Sequence, residues 1–391
     1  MNRKQNLVVG LQHFLSMFGA TILVPLLTGL PVELALLASG VGTLIFHFIT
    51  EHKVPAYLGS SFAFIAPIAM IVSNQGIPQA MGGVFFAGLV YVGLSIIIRY
   101  IGTDLVRQLF SPIVTGSIII LIGLSLAGVA VEQSANNPFL AFVAVSFVIF
   151  SAVFSKGFFK LIPIVIALVA SYIFALILGF VDLSPFIEAD FIGLPRIYLP
   201  SFDFNAIMII APVAFVTAIE HVGDVLAIGG IMGKKDKLLT DPGLDKTLLG
   251  DGIATLFASL IGAPPNTTYS ENIGVLELSK VYTSRVVLIG AMMAILTSFS
   301  PKMIALVNSI PIAILGGISL VLFGMIASVG IRTLVKNRVD FSYNRNLIIL
   351  GITLILGLGG ATFSVGAFDI SSLAFASIIA VTLNYILPKE V

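Results

Sequence analysis

The chain has 391 residues, of which 58% are hydrophobic and only 10% charged, and its formal net charge is +1. Apolar stretches recur along the whole length, which excludes a water-soluble fold and an appended soluble domain. Zero cysteines exclude disulfides, thiolate metal sites and cysteine nucleophiles, and a near-neutral charge gives no reason to expect nucleic acid.

Hydropathy predicts an all-α polytopic membrane protein. Fourteen segments are expected, at about 7–25, 31–49, 56–73, 78–98, 110–131, 138–155, 161–181, 205–233, 248–263, 268–278, 284–299, 310–330, 347–360 and 371–387. Most approach the ~20 residues that cross a ~30 Å hydrocarbon core. No cleavable signal peptide is expected, since Met1 to Gln5 is short and polar before the apolar run from Leu7.

Charge tests the segmentation independently. With both termini cytoplasmic, eighteen Lys and Arg fall inside, among them Arg107, Lys235 and Lys389, and only Arg196 and Lys302 fall outside. That is a strong positive-inside bias, and dropping one segment would reverse every later loop and spoil it.

The two halves echo each other. Gln12-His13 matches Glu220-His221, Gly59-Ser60-Ser61-Phe62 matches Asn266-Thr267-Thr268-Tyr269, and Pro112 to Ser117 matches Pro311 to Gly317. Seven segments per repeat is odd, so the second copy is expected to run through the membrane inverted. The third and tenth segments are expected to be broken. Each has a Pro- and Ser/Thr-rich extended lead-in (Lys53 to Ser61, Ala263 to Tyr269) before a half-helix. Broken backbone at membrane depth is tolerated only where protein or a wet cavity satisfies it, and paired half-helices point to a midplane site. Their N-termini offer unpaired N–H groups to a carbonyl oxygen.

Three acids interrupt apolar stretches: Glu220, Asp224 and Glu271. A charge at bilayer depth costs roughly 2.5–3.5 kcal/mol on insertion scales, so such acids mark pathways. Glu220 and Glu271 are expected to accept N–H donors from a neutral ring, the complement of a cyclic imide or amide. Asp224 lies one turn beyond Glu220 on the same face, and two acids that close do not both ionise readily. Asp224 and Glu220 are therefore candidates for proton coupling. His13 could meet a site water or a carboxylate, and Phe62 and Phe323 could stack on a flat ring. His221 and Asp251 read as structural. There is no phosphate-binding loop and no clustered set of metal ligands, so the energy must come from an ion gradient or from the solute itself, and no cofactor is expected. An intramembrane aspartyl protease is the alternative from another class.

These residues carry a resemblance. Glu271-Asn272-Ile273-Gly274-Val275-Leu276-Glu277-Leu278-Ser279-Lys280 is similar to the signature of the nucleobase–ascorbate transporter family, with Ser279 in the usual Thr place. Gln12-His13, Pro55 to Phe64 and Glu220-His221-Val222-Gly223 resemble its bacterial uracil-transporting members, and the likeness covers essentially the whole chain. It implies a core domain (1–104 and 201–302) and a gate domain (105–200 and 303–391) in a cytoplasmic membrane, and it allows a homodimer through the gate. It implies secondary active import of a nucleobase by proton symport and alternating access, with uracil the expected substrate. Carried over, Glu220 and Glu271 bind the ring, backbone N–H groups of Phe62 and Ser270 meet its carbonyls, and His13 and Tyr269 act through water. Three positions depart from the pyrimidine pattern: Asp224 stands for His, Phe323 for Tyr and Ser270 for Gly. They keep xanthine or uric acid as the alternative substrate.

Overall fold

The computed structural model describes residues 3–102, 108–234, 237–361, 363–365 and 368–388. Arg107, Lys235, Lys389 and the expected core–gate boundary at 104–105 lie outside the described residues.

The first part of the chain runs α1 (Arg3–Thr28), α2 (Val32–Ile49), strand β1 (Leu58–Ser60), a short 3-10 turn (Phe62–Phe64), α3 (Ile65–Asn74) and α4 (Ile77–Ile101). Then come α5 (Pro112–Ser125), α6 (Ala127–Ala135), α7 (Pro138–Phe154), α8 (Pro163–Ile177) and the short α9 (Ser184–Glu188). The second half holds α10 (Phe204–Ile210), α11 (Val213–Ile231), α12 (Leu244–Ile261), strand β2 (Asn266–Thr268) and α13 (Ser270–Ser279). It ends with α14 (Ser284–Ser298), α15 (Pro301–Asn308), α16 (Ile312–Lys336), α17 (Asn344–Leu358), strands β3 (Phe363–Val365) and β4 (Phe368–Ile370), and α18 (Ser372–Ile386).

Local sequence explains where the helices begin. Pro112, Pro138, Pro163 and Pro301 open α5, α7, α8 and α15, where the missing N–H costs nothing and φ is already helical. Asn137, Asp203, Ser300 and Ser371 cap their helices through side-chain oxygens.

Helices stand at every expected segment, with three refinements. The expected span at 205–233 divides at Ala211-Pro212 into α10 and α11, because proline removes a ladder donor. The span at 110–131 divides at Leu126. The hairpin β3–β4, paired from Phe363↔Ile370 to Val365↔Phe368, was not expected. Among the described residues, with α5–α6 and α10–α11 each counted as one span, six helices are long and apolar enough to cross a membrane, seven if the sharply bent pair α14–α15 is one span. Five shorter apolar helices accompany them.

Packing falls into two groups. α12 lies against α2 and α4, and α14 against α1 and α2. Separately, α16 packs on α5, α6 and α7, and α17 on α5 and α18. The α5–α16 contact is close because it is built from glycine. A Cβ at Gly123 would sit 2.5 Å from the Phe323 carbonyl oxygen, and one at Gly330 2.6 Å from that of Gly116.

The broken segments meet at the centre. β1 and β2 cross antiparallel, with Leu58↔Thr268, Gly59↔Thr267 and Ser60↔Asn266 in register. Ser61 N–H to Pro265 O (3.0 Å) and Tyr269 N–H to Tyr57 O (2.9 Å) extend the pairing. All six strand residues are buried, and neighbouring helices satisfy their backbone: Ser39 and Thr43 donate to Leu58 O, and Thr255 to Asn266 O. This is the irregular backbone a membrane protein tolerates, because protein encloses it.

Candidate substrate site

The strand crossing fixes where the two half-helices start. After β1 the chain turns through Phe62–Phe64 into α3, and after β2 it enters α13 at Ser270. Among the described residues no backbone acceptor takes the N–H of Phe62 or Ser270. First-turn amides have no partner inside their own helix, so these two donors are available to a ligand.

Beside them runs α11. Asp224 accepts from Ser270 Oγ at 2.6 Å and from Thr268 Oγ1 at 3.1 Å. These two bonds clamp α11 to the start of α13. Glu220 lies one turn before Asp224, and Glu271 follows Ser270, so the clamp brings both glutamates to one place, close enough to interact electrostatically. Both are half-buried among buried neighbours, and Ser270 is exposed. Apart from Glu271's own amide, no donor among the described residues reaches either carboxylate. Two carboxylates to which no other residue donates, next to two donors without protein acceptors, can bind a ring that carries both N–H and C=O groups.

The other expected residues occupy defined places around this arrangement. The Phe62 ring meets the Phe323 ring edge to face, 6.2 Å between centroids, which joins the first half-helix to α16. Tyr269 is buried, donates to Ser60 O at 2.8 Å and accepts from Thr21 Oγ1 at 3.3 Å, so its hydroxyl ties β1, β2 and α1 together. His13 is buried on α1. Asn272 Nδ2 bonds its carbonyl at 3.0 Å and lies 3.1 Å from its Nδ1. His13 Nε2 has no partner.

Two residues of this architecture escaped the sequence reading. Thr268 and Asn272 stand inside the quoted motifs, but nothing in a motif says which distant side chain each will meet. Asp251 on α12 meets His221 on α11, with Nδ1 2.9 Å from Oδ2 and neither side chain exposed.

Two concave spaces lie elsewhere. One of about 610 Å³ is lined by Asp182, Arg196, Asn308 and Ser309. The other, about 440 Å³, is lined by Arg338, Arg345 and Asn384. Neither includes Glu220, Asp224 or Glu271.

The whole chain is similar to known permeases. A family model described as "Permease family" matches residues 4–366. The uracil permease of Bacillus caldolyticus is 44% identical over 98% of this chain and 92% of its own length. That of Escherichia coli K12 is 38% identical over 98% and 91%. The putative pyrimidine permease RutG of the same strain is 39% identical over 99% and 90%. Among solved structures, the transmembrane domain of the cyanobacterial bicarbonate transporter BicA shares the fold at a TM-score of 0.64, with 18% identity over 97% of each chain. Murine Slc26a9 in the inward-facing state gives 0.73 at 12% identity, over 98% of this chain and 68% of that one. Permeases are transporters and not enzymes, which removes the protease alternative. The chain therefore belongs to the nucleobase–ascorbate transporter family of multi-pass membrane permeases.

Proposed function

We propose that the protein imports uracil together with protons. The observation that carries this reading is the pair of glutamates, Glu220 and Glu271, held together by the Asp224–Ser270 clamp with no donor from another residue. Uracil offers two ring N–H donors and two carbonyl oxygens. The glutamates take the N–H groups, and the Phe62 and Ser270 amides donate to the carbonyls. The names of the uracil permease relatives support the same substrate. Two carboxylates disfavour an anionic substrate, even on a fold shared with a bicarbonate transporter.

Asp224 carries the coupled proton in this reading. Protonated, it keeps its place beside Ser270 and Thr268 and relieves repulsion with Glu220 and Glu271. His13 and Tyr269 hold the half-helices and reach the ring through water. The substrate is enclosed where Phe62 meets Phe323.

Alternating access follows from the packing. The helices grouped around α12 and α14 form the core, those grouped around α16 form the gate, and the core rocks against the gate. Fourteen segments in two inverted repeats of seven suit the strand crossing. Under a shift of 207 residues the pair Gly59↔Thr267 becomes Ser60↔Asn266, so the ladder maps onto itself. Both termini are cytoplasmic, in the cytoplasmic membrane, and a dimer would form through the gate.

Uptake of radiolabelled uracil into proteoliposomes, with and without an inward proton gradient, tests the reading. Gradient-driven uptake blocked only by pyrimidines is expected. A second reading, xanthine or uric acid as substrate, is favoured by Asp224 and Phe323, and uptake of either in place of uracil would select it.

A further inference from the structure

The cavity of about 440 Å³ lies where several helices grouped around α16 end, away from Glu220, Asp224 and Glu271. Ser111 lines it just before α5, Arg338 and Asp340 line it from the turn between α16 and α17, Arg345 from the first turn of α17 and Asn384 from the last turn of α18. This is the face proposed to be cytoplasmic.

No carboxylate among the described residues pairs with either arginine. Arg345 is held by neutral oxygens. Its Nη2 donates to Asn384 O and Oδ1 at 2.7 Å each, its Nη1 to Asn346 Oδ1 at 3.2 Å and its Nε to Leu387 O at 3.4 Å. The guanidinium is thereby fixed in place with its charge uncompensated. Arg338 is exposed, and its side chain has no partner among the described residues. Asp340 is the one acid among the described lining residues. Its Oδ1 accepts from the Ser342 N–H at 2.8 Å.

The backbone at Arg338 sharpens the point. α16 ends in a doubly bonded turn, with Arg338 N–H to Val335 O and Val339 N–H to Leu334 O, both at 3.0 Å. Val339 packs against the apolar cluster that contains Leu334. This geometry sets Arg338 at φ 53°, the left-handed conformation for which glycine is the favoured residue. The turn calls for glycine and the protein offers the side chain nothing to bond, so packing and local structure leave this arginine unexplained. A ligand in the cavity explains it.

The mouth indicates where that ligand comes from. Tyr343 lines the cavity, Tyr385 and Ile386 directly follow Asn384, and all three are exposed. Such side chains suit the headgroup level of a bilayer, and basic pockets between helix ends on a cytoplasmic face suit phosphate headgroups. We propose that this cavity binds the phosphate of an anionic phospholipid between Arg338 and Arg345. The bound headgroup joins the α16–α17 turn to the start of α5 and the end of α18, and fastens this group of helices to the membrane. The site stands apart from the substrate reading and does not depend on it.

The test uses the full chain in detergent with added phosphatidylglycerol, phosphatidylcholine or inorganic phosphate. Lipid retention is read by native mass spectrometry, and stability by thermal melting. Phosphatidylglycerol is expected to be retained over phosphatidylcholine and to raise the melting temperature. Arg338→Gly suits the turn better than arginine, so its lipid-free melting temperature should equal or exceed that of the parent. It should nevertheless weaken phosphatidylglycerol binding roughly fivefold, the worth of one arginine near a bilayer surface. Asp340→Asn keeps an acceptor for Ser342, removes the negative charge and should strengthen binding by a similar factor. Loss of fold cannot imitate either result. Stabilisation by inorganic phosphate with the same dependence on Arg338 and Asp340, and none by lipid, would keep the phosphate site and overturn its lipid source. Phosphatidylglycerol binding indifferent to both substitutions, or no effect of lipid or phosphate on the parent, would overturn the site itself.

Discussion

Glu271 and Asp224 lie close together, and their removal should have different effects. A hydrogen bond to a charged acceptor contributes about 1.5–3 kcal/mol, and tenfold in affinity corresponds to about 1.4 kcal/mol. Glu271→Gln should therefore weaken uracil binding roughly 10- to 100-fold, and Glu271→Ala should abolish it in an equilibrium binding assay. Unimpaired binding by the alanine variant would remove Glu271 from the site. Asp224→Asn keeps a polar group for Ser270 and Thr268 but cannot ionise. It should spare binding and flatten the pH dependence of uptake. A pH response equal to that of the parent would mean the proton travels by another residue.

At the scale of elements, the crossing of β1 and β2 leaves no room for a side chain at Gly59. A Cβ there would lie 2.4 Å from the Tyr269 ring and 2.9 Å from Thr21 Oγ1. Overpacking of this kind costs about 1–3 kcal/mol, so Gly59→Ala should melt several degrees below the parent in detergent and lose uracil binding. Equal melting temperatures would show that the ring can move aside freely. The sequence made much of this element legible. Proline, glycine and clustered hydroxyls announced the extended lead-ins, and the apolar runs announced the helices, because both are local signals. The antiparallel register was not legible, nor were the long-range pairs Thr268–Asp224 and Asn272–His13, since no local pattern states which residues more than forty positions apart will meet. The hairpin β3–β4 was missed for another reason: each strand has only three residues, too few to display a period.

At the scale of the whole molecule, one rim is tied by charge and the opposite connection by backbone. Glu51 bonds Lys246 and Lys53, and Lys53 reaches Asp241 at 2.5 Å. The Lys246 and Lys53 bonds pull the Glu51 carboxyl down to about 2 from 4.5, and Asp241 and Glu51 raise the Lys53 ammonium. A depressed acid stabilises above its ordinary value and ceases to do so as pH falls through the folded one. The melting difference between parent and Glu51→Gln should thus be constant above about pH 5 and vanish toward pH 2. These side chains are 40–48% exposed, so added salt should shrink the difference at every pH. A difference independent of both pH and salt would show that packing, not charge, ties this rim. On the other connection, the segment after α9 is joined to the helices around α12 and α14 by Gly193 N–H to Phe299 O, Tyr198 N–H to Ile261 O and Ser201 N–H to Pro78 O. It should travel with them in the proposed rocking motion. The strand crossing carries the same logic into the site. The lead-in strands of the two half-helices are bonded to each other, so the groups proposed to hold the ring cannot separate in the proposed change of opening. Affinity measured from outside and from the cytoplasm then becomes one quantity rather than two. A substitution at Glu271 should raise the half-saturating concentrations for influx and efflux by the same factor.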